Sequence, residues 1–215
     1  MAWDVEGTKQ RLLEAGRREF CDHGLAGARV DRIAKTAGAN KERLYQYFGN
    51  KEQFFDFVVT DLLGGLFDEV PLQGQGPSAL GEFAGKRFDR HVQDATLARL
   101  LFWEGLERRE RADIDPDRAV RHSEKVATVQ EMLPGISANA AADLLLTVVS
   151  LTDAWVALPQ LESLLAGDDP KRTAERRAAI VSTVTLAAQA AIDAVDAEAA
   201  DPNPGDAEAI TAANN

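Results

Sequence analysis

Residues 40–55 read NKERLYQYFGNKEQFF, and residues 29–39 immediately before them read RVDRIAKTAGA. The apolar residues of 29–39 recur at helical spacing and stop at Gly38, a residue suited to the left-handed conformation of a tight turn. Asn40 then offers an N-cap for a second helix, in which Leu44 and Phe48 share one face. The two segments predict two short helices joined by a tight turn, which is the helix-turn-helix arrangement.

The second of these helices leaves polar side chains on the face opposite its apolar residues. Lys41, Arg43 and Gln46 can pair with guanine or adenine edges in a DNA major groove. Glu42 cannot favour phosphate, but it can accept from a cytosine amine or pair with a nearby cation. A simple solvated helix face is the alternative interpretation of the same residues.

Four elements in order give the chain its resemblance to the TetR (tetracycline repressor) family of bacterial regulators. They are a first helix near residues 8–23 closed by Gly24, IAKTAG at residues 33–38, LYQYF at residues 44–48, and Lys51-Glu52 opening a fourth helix. Together they cover about the first 60 residues. The sequence departs from the family at Ala28 and Arg29, where a small hydroxyl residue usually caps the second helix, a loss of about 1 kcal/mol. An operator sequence therefore cannot be carried over from relatives.

The resemblance implies a repressor that binds a palindromic operator in double-stranded DNA and is released by a small-molecule effector. By match to the family's motif, Tyr45, Tyr47 and Lys51 are expected to contact phosphates, and Thr8 and Lys9 can also reach the backbone. The full set of expected DNA contacts is Arg29, Lys41, Glu42, Arg43, Tyr45, Gln46, Tyr47 and Lys51.

The charge of the chain is distributed unevenly. The net charge is −11, which at first argues against a nucleic-acid partner, but residues 1–52 carry +2 and the remainder carries −13. This asymmetry confines attraction to phosphate to the N-terminal part. Acidic surfaces are also simply soluble ones, so the charge pattern alone does not decide the function.

Composition predicts a cytoplasmic protein with no membrane partner and no cofactor. The N-terminal residues lack a basic stretch followed by an apolar one, and the most apolar run, residues 140–158, is interrupted by two aspartates. The single cysteine, Cys21, cannot form an intrachain disulfide or assemble a metal site by itself.

Helical segments with clear start and stop signals continue to about residue 196. Those beyond the helix-turn-helix are predicted at residues 51–69, 78–92, 95–109, 116–133, 137–158 and 174–195, which makes about nine helices, while residues 159–169 fit either a short helix or a loop. Almost no segment has the period-two alternation of a strand. The sequence therefore predicts an all-α fold with three parts: a three-helix DNA-binding domain (1–52), a helical ligand-binding and dimerisation domain (53–196) and a disordered tail (197–215).

Ligand sensing has weaker support in the sequence than DNA binding. If the family's architecture holds, aromatic and polar residues on the middle helices border a central cavity, although each is more often a core residue. Trp103 and Trp155 are the leading candidates, and Asp153 is a further possibility. The expected ligand contacts are Phe88, His91, Trp103, Glu104 and Trp155, with Phe102 and His122 as weaker candidates.

The predicted eighth and ninth helices, residues 137–158 and 174–195, are expected to form a homodimer interface. The eighth is apolar nearly all round, which indicates packing on two sides, and the ninth carries a stripe of small residues that includes Ala188. In the resembled family these helices form a four-helix bundle. One recognition helix reads too few base pairs for an isolated site, so a two-fold dimer is also required by the DNA.

An enzyme and a regulator without a small-molecule ligand are the two alternative classes of protein. An enzyme is disfavoured, because the histidines lack the Glu-x-x-His spacing of di-iron bundles, and Gly74-Gln75-Gly76 lacks the setting of a phosphate loop. A DNA-binding regulator without a small ligand remains open, and a cavity of several hundred Å³ would favour the sensor over it.

Overall fold

The computed structural model describes residues 5–108, 115–167 and 169–200. Within these residues the chain is all helical, as predicted, with ten helices instead of about nine. They are α1 (Val5–Gly27), α2 (Val30–Thr36), α3 (Lys41–Phe48), α4 (Lys51–Glu69), α5 (Pro77–Gln93), α6 (Thr96–Glu107), α7 (Pro116–Met132), α8 (Ala138–Ala157), α9 (Pro159–Ala166) and α10 (Arg172–Ala200).

The helix-turn-helix follows from local sequence. Gly38 makes the turn after α2 with a φ of 62°, a conformation in which a residue with a side chain would be strained. The Asn40 side chain then accepts a hydrogen bond from the backbone N–H of Arg43 at 3.1 Å, which caps α3. Leu44 and Phe48 are buried and fix the face that α3 turns inward.

Two hydrophobic cores hold the helices together. The first joins α1–α4 with Leu97 and Leu100 of α6, and its centre is the ring cluster of Phe20, Phe54 and Phe55. The second joins α5, α7, α8 and α10. Because α4 and α6 belong to the first core, the DNA-binding part is packed against the rest of the chain over a broad surface.

The apolar helices α8 and α10 are only partly covered within one chain. Both are long and apolar enough to cross a membrane by length and composition, and 28% and 17% of their most apolar windows are buried here. Leu146 on α8 and Leu186 on α10 are 64% and 67% exposed. Their outer faces are therefore available for packing against another surface.

The structure changes three sequence-based expectations. Residues 159–166 form α9, so the predicted ninth helix is α10. Ala188 is fully buried in the second core with Leu80 and Ala84, so its stripe packs inside the chain instead of forming an outer face. Helix α10 also extends to Ala200, and the rest of the predicted tail, residues 201–215, lies outside the described residues.

Candidate functional site

Helix α3 presents a polar face to solvent. Lys41, Glu42, Tyr45 and Gln46 are exposed, whereas Arg43 is half-buried. The Lys41 ammonium lies 3.9 Å from a carboxylate oxygen of Asp31 on α2, an exposed pair that a phosphate could replace at small cost. Of the predicted base-reading residues, Lys41 and Gln46 are therefore exposed and Arg43 is partly exposed.

The cations beside α3 are held by aromatic rings and backbone carbonyls. The Lys9 ammonium of α1 lies 5.7 Å from the ring centre of half-buried Tyr47. The Lys51 ammonium donates to the carbonyls of Ala26 and Ala28, each at 3.4 Å. An ammonium has three N–H donors, so Lys51 keeps capacity for a phosphate. Thr8, the other α1 residue expected near the DNA backbone, is buried.

Glu19 of α1 takes over part of the missing cap of α2. Arg29 occupies the N-cap position, where its own side chain makes no capping hydrogen bond. Its backbone N–H donates instead to the Glu19 carboxylate at 2.8 Å, and Arg32 Nε donates to the same oxygen at 2.7 Å. Burial alone would raise the pKa of Glu19, but these hydrogen bonds hold it below its usual value. Sequence spacing could not reveal this contact, because it joins residues on different helices.

A cavity of about 1390 Å³ lies between the two cores. It is larger than the several hundred Å³ that a small-molecule site needs. Its walls come from α4 to α8, and it reaches the start of α4 at Asn50, Glu52 and Gln53. The cavity thus extends from α8 to within a few residues of α3.

One of the five predicted ligand contacts lines this cavity. Glu104 is part of the wall, as is the weaker candidate His122. The other four lie elsewhere: Trp103 Nε1 donates to the Cys21 carbonyl at 3.2 Å, Trp155 packs edge-on against buried Phe88, and His91 is buried beside Asp153. The sequence analysis missed the apolar side chains that make up most of the wall, and it also missed three arginines, Arg87, Arg108 and Arg118.

Arg87 belongs to a buried polar cluster between α5 and α8. Its Nη2 donates to both carboxylate oxygens of Asp153 at 2.8 and 3.0 Å, and its Nε donates to Thr152 Oγ1 at 3.0 Å. His91 Nε2 lies 3.2 Å from the same carboxylate. Burial alone would raise the pKa of Asp153, but His91 and the charge of Arg87 hold it below its usual value.

A second charge network connects the cavity wall to α4. Arg118 of α7 binds Glu104 of α6 through two hydrogen bonds of 2.6 and 2.9 Å. Arg108, at the end of α6, binds the Asp56 carboxylate and lies 3.9 Å from Glu104. Burial raises the pKa of Asp56, although Arg108 opposes this shift. An occupant that displaces any of these groups would act on the helix that follows α3.

The described side chains form no candidate metal site. Within residues 5–108, 115–167 and 169–197, no group of three or more His, Cys, Asp or Glu residues could hold an ion.

Comparison with known families divides the chain into two matched regions. Residues 12–58 match the family described as bacterial regulatory proteins, tetR family. Residues 79–185 match the tetracyclin repressor-like C-terminal domain. The two regions correspond to the helix-turn-helix part with the start of α4, and to the helices that surround the cavity.

Individual relatives agree with this division. The HTH-type transcriptional repressor SCO4008 of Streptomyces coelicolor is 37% identical over 77% of this chain and 87% of its own length. The crystal structure of the transcriptional regulator SCO4942 from the same organism has a TM-score of 0.67 at 32% identity and covers 83% of this chain and 97% of its own. FadR of Bacillus subtilis, solved with stearoyl-CoA, has a TM-score of 0.61 at 16% identity, covering 83% and 98%, which shows the shared fold. The chain belongs to the TetR family of helix-turn-helix, DNA-binding transcriptional regulators.

Proposed function

We propose that the chain is a homodimeric repressor that binds a palindromic operator through α3 and leaves it when a small molecule enters the cavity. The observation that carries this proposal is the position of the cavity. Its wall includes Asn50, Glu52 and Gln53 at the start of α4, directly after the recognition helix. A cavity occupant and the DNA therefore act on the same short segment of chain.

Sequence recognition is assigned to the exposed face of α3. Lys41, Arg43 and Gln46 are proposed to read base edges, and Tyr45, Tyr47, Lys51 and Arg29 to hold phosphates. Glu42 would discourage a wrong base or accept from cytosine. The exposure of Lys41, Tyr45 and Gln46 supports the assignment, since a helix in the major groove must present its polar side chains to the DNA.

Dimerisation is assigned to the outer faces of α8 and α10. Exposed leucines continue from Leu186 onto α9, where Leu161, Leu164 and Leu165 are also exposed. Leu146 on α8 is exposed too, but it lies at the wall of the cavity. A membrane could cover such helices in principle. A DNA-binding chain with a two-fold operator instead requires a second copy, which would cover the same apolar area. We therefore propose a cytoplasmic dimer without a membrane partner.

Release from DNA is assigned to the network around Arg108. An effector that favours a different position of Arg108 or Glu104 would shift the Asp56 carboxylate on α4, and α4 would carry α3 with it. DNA affinity falls by the ratio of the effector's affinities for the two conformations. The second candidate function is regulation without a small ligand, for which the cavity has no role.

One pair of experiments separates these functions. Selection of random DNA by the purified full-length chain should return an inverted repeat with one half-site for each α3. Binding to that DNA should then fall when a small molecule binds the cavity. DNA without two-fold symmetry would contradict the dimer model. If a small molecule bound tightly in the cavity and DNA affinity did not change, a regulator without a ligand response would be favoured.

A further inference from the structure

Arg87 is a buried cation whose hydrogen bonds leave one nitrogen unused. The side chain is only 5% exposed, yet it lines the cavity. Its Nε and Nη2 are bound to Thr152 and Asp153. Nη1 carries two further N–H donors and has no hydrogen-bond partner among the residues that the structure describes. A cavity occupant with an acceptor oxygen can satisfy this nitrogen.

The charges of the cavity wall are balanced. Arg87, Arg108, Arg118 and Lys125 face an equal number of carboxylates, namely Glu52, Asp56, Glu104 and Asp115. Asp153, behind the wall, already pairs with Arg87, and Arg108 and Arg118 are bound to Asp56 and Glu104. Among the described residues, Lys125, Glu52 and Asp115 have no ion-pair partner, but the wall carries no net excess of either sign. An ion would therefore lose its hydration without meeting a strong opposing field.

Lys125 is the one cation of the wall without a carboxylate in salt-bridge range among the described residues. Its ammonium lies 4.8 Å from the ring centre of Phe67, which offers the charge a favourable partner. An anionic ligand would have to compete with this contact. An anionic ligand bound by Lys125 is therefore the main alternative that an experiment must exclude.

Most of the rest of the wall is apolar and spans several helices. It includes Leu63 and Phe67 of α4, Phe83 of α5, Leu101 of α6, and Leu145 and Val149 of α8. Burial of an apolar molecule against these side chains supplies most of the binding free energy, about 25 cal/mol for each Å² removed from water. Polar groups on the ligand then set its orientation.

We propose that the effector is an uncharged, mainly apolar molecule whose carbonyl or hydroxyl oxygen accepts a hydrogen bond from Nη1 of Arg87. This rests on the proposed function, because it names the chemical class of the effector for the same cavity. The same guanidinium ties α5 to Thr152 and Asp153 of α8, so the ligand's oxygen would contact a group that bridges the cavity and a dimerisation helix.

The test uses four naphthalenes of matched size that displace Nile red, an uncharged fluorescent probe, from the full-length protein. Acetylnaphthalene carries a carbonyl, ethylnaphthalene has no acceptor, naphthoate is an anion and naphthylmethylammonium is a cation. Acetylnaphthalene should bind about fivefold more tightly than ethylnaphthalene, as expected for one hydrogen bond. It should also bind at least about tenfold more tightly than either ion, since an ion must give up its hydration.

Two variants test whether Arg87 causes the preference for acetylnaphthalene over ethylnaphthalene. Arg87→Leu alone would leave the Asp153 carboxylate buried without its partner, so it is combined with Asp153→Asn. The double variant should bind acetylnaphthalene and ethylnaphthalene equally, whereas Lys125→Met should keep the wild-type preference. Far-UV circular dichroism checks the fold, and the wild-type ligand series decides the question even if the double variant does not fold.

Several results would overturn the proposal. Tighter binding of naphthoate that is lost in Lys125→Met would establish an anionic effector class, and tighter binding of naphthylmethylammonium would establish a cationic one. In either case an ion that also released DNA would leave the proposed repressor function intact. If neither Nile red nor any naphthalene bound, both the effector class and the ligand response would fail together.

Discussion

At the residue scale, the stronger ion pairs of this chain join one helix to another. Arg87–Asp153 links α5 to α8, and Arg118–Glu104 links α7 to α6. Exposed pairs of this kind contribute little, but a buried pair is costly to break because the remaining charge has no partner. The side chains of Arg87 and Asp153 are 5% and 3% exposed, so removing either one would leave the other charge buried without a partner.

The first prediction concerns Asp153. Replacement by Asn should lower the free energy of unfolding at pH 7 by about 3–5 kcal/mol, the range for a broken buried pair. The folded-state pKa of Asp153 is lowered, so this stabilisation is present above the unfolded pKa of about 3.9 and is lost as the pH falls through the folded value. The difference between variant and wild type should therefore shrink below about pH 4.

Urea unfolding at several pH values and one fixed protein concentration measures this difference, because a dimer's stability depends on concentration. The control is Glu175→Gln, which breaks the exposed pair with Arg172 and should cost less than about 1 kcal/mol. A difference for Asp153→Asn that grows as the pH falls would contradict the assigned charge state.

The second prediction separates base reading from phosphate contact on α3. Arg43→Ala should relax preference at one base of each half-site, because an arginine can bind guanine through two hydrogen bonds. Tyr47→Phe should weaken binding to all sequences alike, since it removes only a group that reaches the backbone. Binding to the selected operator and to random DNA measures both effects. Equal losses on the two DNAs for Arg43→Ala would remove its assigned role.

At the element scale, local signals predicted most of the helices. Asn40 and Ser137 cap α3 and α8 through hydrogen bonds to the backbone three residues on, which is visible in the sequence. The sequence of α9 fits either a helix or a loop, because none of its residues is buried and its leucines therefore form no core-facing stripe. The other helices could be predicted because they begin at a clear N-cap or proline, or bury a row of apolar side chains.

The cavity could not be predicted in the same way. Its wall depends on how helices separated by up to about 100 residues pack, and not on any local pattern. Trp103 was a reasonable candidate by size, but its indole N–H is bound to α1 at the Cys21 carbonyl. The close approach of α6 to Gly24 of α1 places it there, since a side chain at Gly24 would collide with Trp103 and Glu107.

The third prediction concerns the contact between α6 and α4. Arg108→Met combined with Asp56→Asn removes the ion pair and leaves neither charge buried alone. Ligand-free DNA affinity should stay within about tenfold, equivalent to about 1.4 kcal/mol, because no DNA-contacting group is changed. The loss of DNA affinity on adding a cavity ligand, with acetylnaphthalene as the probe, should shrink at least about threefold, since part of the coupling path is gone.

DNA binding titrated with the probe measures this ratio for wild type and variant. Arg172→Gln, which breaks an exposed pair on α10, is the matched control and should behave as wild type. An unchanged response in the double variant would show that the effector acts on α3 by another route.

At the scale of the whole molecule, charge and apolar surface are segregated. The +2 carried by residues 1–52 directs that end towards DNA, and the −13 of the remainder keeps the other surfaces away from it. Most of the highly exposed leucines lie on α8, α9 and α10, away from the recognition helix, whereas Leu106 lies on α6. This arrangement suits two copies that meet at their apolar ends and present two α3 helices to one face of DNA.

The last prediction tests this arrangement with two leucines of similar exposure. Leu186 on α10 and Leu106 on α6 are 67% and 72% exposed, so glutamate at either position costs little in an isolated chain. Only Leu186 lies on the proposed interface. Leu186→Glu should place a charge in an apolar contact and yield monomers, whereas Leu106→Glu should remain dimeric.

Sedimentation velocity measures the assembly, and fluorescence anisotropy measures operator binding. Leu186→Glu should lose about a hundredfold or more in operator affinity, because one α3 reads too few base pairs for specific binding. Ala188→Glu is unsuitable for this purpose, since that residue is buried in the second core and a charge there would disrupt the fold. A dimeric Leu186→Glu that still binds the operator would move the interface away from α10, and monomers formed by Leu106→Glu would place it on α6.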